Sequence, residues 1–212
     1  MEYFMNLEIW AAFVLAATVV LVMPGPTILL VISQAISHGR KAVIPLVAGV
    51  TLGDFTAMTL SLLGLGAVLA ASSSLFSAMK WIGAAYLIYL GIKLWRSNPE
   101  ELDISFSAER TSNRSLFKNA FFVTALNPKS IAFFVAFLPQ FISSRSGTFP
   151  QFLLLEATFL FLAALNATLY ALLAGQLRDK LQNSKVRRWL NRSGGTALIC
   201  AGLVTATLKR SS

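Results

Sequence analysis

Residues 9–37 read IWAAFVLAATVVLVMPGPTILLVISQAIS, an unbroken run without a charged side chain. Crossing a bilayer core about 30 Å thick takes roughly 20 apolar residues. The stretch is therefore a membrane span, and Pro24, Gly25 and Pro26 interrupt it near its middle. Two more uncharged runs of spanning length follow, at 55–79 and 157–177. Overall 56% of residues are hydrophobic, 13% are charged, and mean hydropathy is +0.67. These features specify an all-α, multi-pass integral membrane protein. The first run is too long for a cleaved leader, and Glu2 and Glu8 precede it rather than Lys or Arg. The single cysteine, Cys200, excludes an internal disulfide.

The runs and their flanks predict six transmembrane helices, at about 7–36, 42–70, 75–95, 117–143, 149–175 and 193–208. The net charge of +9 would suggest nucleic acid in a soluble chain. Here its placement sets orientation instead. With six spans, thirteen basic residues fall on one side, at the 38–41 turn and around the 96–116 and 176–192 connections. Only Lys80, Arg145, Lys209 and Arg210 fall on the other. The positive-inside rule makes the first side cytoplasmic, with both termini outside. The 96–116 connection, with Glu100, Glu101, Asp103 and Glu109, reads as a polar cytoplasmic loop.

The single membrane domain, 1–212, divides at that loop into repeats of about 7–95 and 117–208. Helix one breaks at Pro24–Gly25–Pro26 and helix four at Asn127–Pro128. Asp54 follows Pro24 at nearly the same interval as Glu156 follows Pro128. Gly83 and Gly91 in span three match Gly194 and Gly202 in span six, each pair eight apart. Two three-helix repeats enter the membrane from opposite sides, the inverted arrangement of many secondary transporters.

Counting about 1.5 Å per residue from the nearest flanking charge gives the depth of each polar group. Asp54 lies about 19 Å from the level of Lys41, and Lys129 about 16 Å from Lys118. Glu156 lies about 16 Å from Arg145, and Pro26 about 18 Å from His38. All four fall near the bilayer centre. Charges there are costly, so they face inward, pair, or line a solvated cavity. The bland alternative is a structural ion pair between Asp54 and Lys129. Asp54 and Glu156 are the candidates to load and release protons. Gly49 and Gly53 form a GxxxG pattern beside Asp54 that favours close helix packing. Asn166 and Tyr170, four apart, share a face of span five. No His/Cys cluster suggests a metal, and no glycine-rich phosphate loop suggests an ATPase.

At these residues the chain resembles the LysE/RhtB family of amino-acid exporters. The resemblance rests on MPGPTILLVISQAISHGRKAVIPLVAGVTLGD, WIGAAYLIYLGIKLW and FKNAFFVTALNPKSIAFFVAFLPQF, over roughly residues 8–175. It implies proton-driven export of amino acids or close derivatives across a bacterial inner membrane. It places Pro24, Gly25, Pro26, Asp54, Asn127, Pro128 and Lys129 in the functional core. Many members carry Asp where this chain has Asn166, a departure that shifts weight to Glu156. Neither an enzyme nor a cofactor is expected, and a homo-oligomer is allowed for. In the expected mechanism, half-helices starting at Pro26 and Pro128 turn their N-termini toward a substrate carboxylate. Asp54 or Glu156 holds the ammonium, and Lys129 either meets substrate or balances Asp54. The runner-up is an exporter of a metal or other inorganic cation, which the fixed charge of Lys129 disfavours.

Overall fold

The computed structural model describes residues 5–23, 25–71, 73–96, 112–142, 148–174 and 183–207, which form helices and no strand. The helices are α1 (Leu7–Val22), α2 (Pro26–His38), α3 (Val43–Ala71) and α4 (Ser73–Arg96). They continue with α5 (Asn113–Ala125), α6 (Pro128–Ala136), α7 (Thr148–Leu172) and α8 (Ser184–Thr207). Pro24, Arg145, most of the expected 96–116 loop and part of the 176–192 connection lie outside the described residues.

Local chemistry sets several helix starts. Asn6 caps α1 by accepting the Glu8 amide, and Ser112 caps α5 by accepting that of Ser115. Pro26 and Pro128 open α2 and α6, where a missing N–H costs nothing. The α5–α6 junction bends the chain by 44°.

By length and composition, two described segments can each cross a membrane, 26–64 and 148–172. The bent pair 113–125 and 128–141 makes a third. The first segment is not one rod. A straight helix from Thr27 to Gly53 would extend about 39 Å. Yet Thr27 bonds Thr124, and a Cβ on Gly53 would lie 2.8 Å from the Thr124 Cβ. The chain therefore doubles back at Gly39, whose φ of 65° ends α2.

Close approaches give the relative directions. Gly49 faces Phe117 and Ala120, and Gly53 faces Phe121 and Thr124, so α3 and α5 run parallel. Trp10 bonds Thr158 while Leu21 meets Asn166, so α1 and α7 also run parallel. Gly91 faces Gly195 and Ile199 while Gly202 faces Ala84 and Ile88, so α4 and α8 are antiparallel.

Two apolar clusters stack along this bundle. One gathers Phe13, Ala17, Met58, Phe133, Phe134 and Phe159, from α1, α3, α6 and α7. The other gathers Val31, Ile32, Leu46, Val50, Leu116 and Ala167, from α2, α3, α5 and α7. Outside, large apolar side chains such as Ile44, Leu60, Leu126 and Phe161 are exposed, as on a lipid-facing surface.

The glycine contacts predict a graded series. A Cβ at Gly49 would lie 2.5 Å from the Phe117 carbonyl, and at Gly53 2.8 Å from that of Phe121. Gly49→Ala and Gly53→Ala should each destabilise the protein by about 1–3 kcal/mol through overpacking. Gly64, with nothing within 4 Å of its Cβ position, should accept Ala without loss. Thermal unfolding in detergent checks the ranking.

Candidate functional site

A helix leaves its last four carbonyls without intrahelical partners. In α1 the Val19 carbonyl still takes the Met23 amide at 3.3 Å. The next four carbonyls belong to Val20, Leu21, Val22 and Met23. Pro24 and Pro26 carry no N–H to offer them. Each is met by a side chain from the second half of the sequence. The Lys129 ammonium donates to the Val20 and Met23 carbonyls, at 2.9 Å each. The Asn166 amide donates to Leu21 at 3.0 Å, and the Tyr170 hydroxyl to Val22 at 2.6 Å.

The second break answers in kind. Asn127 caps α6 by accepting the Lys129 amide at 3.0 Å, and its NH2 donates to the Thr27 hydroxyl oxygen at 3.1 Å. Thr124 donates to the same oxygen at 3.3 Å. So α6 satisfies two of the four carbonyls at the end of α1, and the α5–α6 junction holds the start of α2. Gly25 lies against this lock: a Cβ there would sit 3.2 Å from the Lys129 Nζ. No side chain caps the first turn of α2.

Asp54 completes the layer. On α3 it falls between Val50 of one apolar cluster and Ala57 of the other, and is 2% exposed. Ser130 hydrogen-bonds its carboxyl and the charge of Lys129 acts on it, while Oδ1 is buried without a partner. Thr27, Thr124, Asn127 and Ser130 are buried too. A hydrogen-bonded polar layer thus crosses the bundle between two apolar clusters.

Of the residues expected from sequence, Gly25, Pro26, Asp54, Asn127, Pro128, Lys129 and Asn166 come together here. Pro24 lies outside the described residues. Gly49 and Gly53 line the α3–α5 contact next to the layer. Glu156 does not join it. Its carboxylate accepts from Thr59 at 2.6 Å, on the side of the phenylalanine-rich cluster. It stands ten residues from Asn166, about 15 Å along α7. The residue of α7 at break level is therefore Asn166. A depth counted along one helix does not show which of its residues shares a level with the breaks; the Thr59 and Leu21 contacts do. Lys129 also differs from expectation: its first-turn position is offset by carbonyls of α1, not by a carboxylate alone. Thr27, Thr124 and Ser130 join the site without having stood out in the sequence. A hydroxyl in an apolar helix usually bonds its own backbone four residues back, as Thr56 and Thr168 do, so it carries little signal. Among the described residues no group of three His, Cys, Asp or Glu side chains could hold a metal.

A family model described as LysE type translocator matches residues 18–208. The homoserine/homoserine lactone efflux protein of Salmonella typhimurium is 33% identical over 205 residues, covering 97% of this chain and 99% of that protein. An uncharacterized membrane protein of Vibrio cholerae is also 33% identical over 205 residues, covering 97% of this chain and 100% of its own. The leucine efflux protein of an Enterobacter species is 31% identical over 153 residues, 72% of each chain. No solved structure matches.

The Leu21 contact makes a directional prediction. Only a donor at position 166 can meet that carbonyl. Asn166→Leu should cost about 1 kcal/mol at every pH, the lower end of the penalty for an unsatisfied group, since the contact is half-buried. Asn166→Asp should be impaired while its carboxylate is ionised and recover as the pH falls and the protonated acid donates. Melting temperatures of both variants between neutral and acidic pH check the difference.

Proposed function

The chain belongs to the LysE type translocator family, and on that premise we propose that it exports amino acids or close derivatives from the bacterial cytoplasm in exchange for protons. The observation that carries this reading is the buried layer where two helix breaks bond each other and one Asp54 oxygen is left over. A zwitterion needs one positive and one negative partner away from water. The uncapped first turn of α2 offers amides and a positive dipole end to its carboxylate. Asp54 supplies the negative charge that lets an ammonium be held in the layer. It is also the group that carries the exchanged proton.

The helix directions support six crossings in two inverted repeats. In that arrangement the broken helix of each repeat runs parallel to the second helix of the other, as α5 does to α3 and α1 to α7. The third helices are then antiparallel, as α4 and α8 are. The polar layer lies at the repeat interface, where such transporters bind substrate. The basic connections face the cytoplasm, both termini lie outside, and the protein resides in the inner membrane. Homoserine and leucine, after which two of the relatives are named, are the first substrates to try. A translocator is not an enzyme class, and a cation exporter is not favoured, because the positive charge of Lys129 already acts on Asp54.

Proteoliposomes loaded with labelled homoserine, leucine and a panel of other amino acids should release at least one, faster with an imposed pH gradient. Asp54→Asn should slow that release on the order of tenfold or more, the loss of a charge-assisted bond worth about 1.5–3 kcal/mol. Release of no amino acid by the folded wild type would refute the reading.

A further inference from the structure

The geometry points to the carbonyl pair of Val20 and Met23 as the ammonium subsite of the transport cycle, held in this state by Lys129 as an internal stand-in. An incoming amino acid loads by replacing the Lys129 ammonium with its own, while Lys129 moves to Asp54. The inference rests on the amino-acid export reading and names how that site takes substrate.

Four observations meet here. The Lys129 Nζ already shows what the subsite accepts, a primary ammonium bonded to two carbonyls at 2.9 Å. The neighbouring carbonyls of Leu21 and Val22 are held by Asn166 and Tyr170, neutral donors on α7. The end of α1 therefore keeps its shape when Lys129 leaves. Gly25 forms one wall of the subsite, and even a Cβ there would press on the ammonium at 3.2 Å, so the backbone comes as close to the bound cation as it can. Asp54 keeps one buried oxygen free, and the charge of Lys129 already acts on it.

The exchange conserves both hydrogen bonds and charge. Carbonyls that hydrocarbon cannot satisfy pass from one ammonium to another. Lys129 leaves them for a carboxylate, and the substrate brings its own carboxylate to the start of α2. When substrate departs, Lys129 returns, so the empty carrier never exposes bare carbonyls or a lone buried cation. The subsite requires a charged nitrogen with two N–H donors, one for each carbonyl, whereas an N-acetyl amide is neutral and keeps only one. N-acetylated amino acids should not be carried.

The role of Lys129 in resetting the empty site separates two measurements in the same proteoliposomes. Net efflux needs the empty carrier to return. Exchange of labelled for unlabelled amino acid does not. Lys129→Met should lower net efflux by at least about tenfold more than exchange, and should bind the exported amino acid more tightly, since nothing competes for the subsite. Equal losses in both, or weaker binding by the folded variant, would overturn the exchange. If Lys129→Met does not fold, Asp54→Asn serves. Without its second seat Lys129 stays in place, so titration of the purified variant should show binding weakened by about tenfold or more. Unchanged binding in Asp54→Asn would overturn the proposal. A wild type that carries no amino acid refutes the export reading beneath it; a wild type that exports while these variants behave alike refutes the exchange alone.

Discussion

Four carbonyls at the end of α1 constrain the rest of the molecule. They lie where the chain runs through apolar surroundings, and their own helix offers them nothing. Leaving each unpaired would cost about 1–3 kcal/mol. Four such losses would rival the roughly 5–15 kcal/mol that holds a typical domain folded. Their donors come from one lysine on α6 and two residues four apart on α7. That requirement sets the register of α7 against α1 and brings the α5–α6 junction into the middle of the bundle. The two apolar clusters fill the space on either side. They bury Asp54, Thr27, Thr124, Asn127 and Ser130 between them, and burial is what makes the bonds of these groups matter.

The presence of a cation in that layer follows from two helix ends meeting. The end of α1 carries a partial negative charge, which favours an ammonium. The start of α6, which bears Lys129, carries a partial positive charge that opposes it. The side chain resolves the conflict by reaching away from its own helix to the other one. Asp54 then balances the full charge, close enough to act on Lys129 but with one oxygen uncommitted. A neutral donor at position 129 could still bond the carbonyls, though more weakly. It would leave Asp54 as an isolated buried charge, the costlier fault.

The sequence carries the class of this fold because uncharged runs long enough to cross a bilayer have little use in a water-soluble chain. It carries the packing at Gly49 and Gly53 because small residues four apart have a distinct mechanical use. It does not carry the partner of Lys129. Every residue has a carbonyl, so a lysine that bonds backbone leaves no second residue to recognise. The same blindness favours Glu156 over Asn166. An acidic residue stands out in an apolar helix, whereas an amide that serves one carbonyl does not. Depth counted along each helix separately also cannot tell which residues of two helices share a level. That is set by the Thr59–Glu156 and Leu21–Asn166 contacts, which are tertiary.

The two breaks are not equivalent, and the difference says where the structure can yield. At the α5–α6 junction the chain satisfies itself. Asn127 caps α6, its own amide bonds the Thr124 carbonyl, and its carbonyl takes the Ile131 amide. That junction can keep its 44° bend without help from other helices. The α1–α2 break has no such local closure. Its carbonyls depend on distant side chains, and the start of α2 has no side-chain cap. Bonds made by side chains on a neighbouring helix can be traded for others of the same kind at small net cost, while a backbone cap cannot leave without unwinding a turn. The second break therefore acts as the fixed element of the layer, and the first is where partners change.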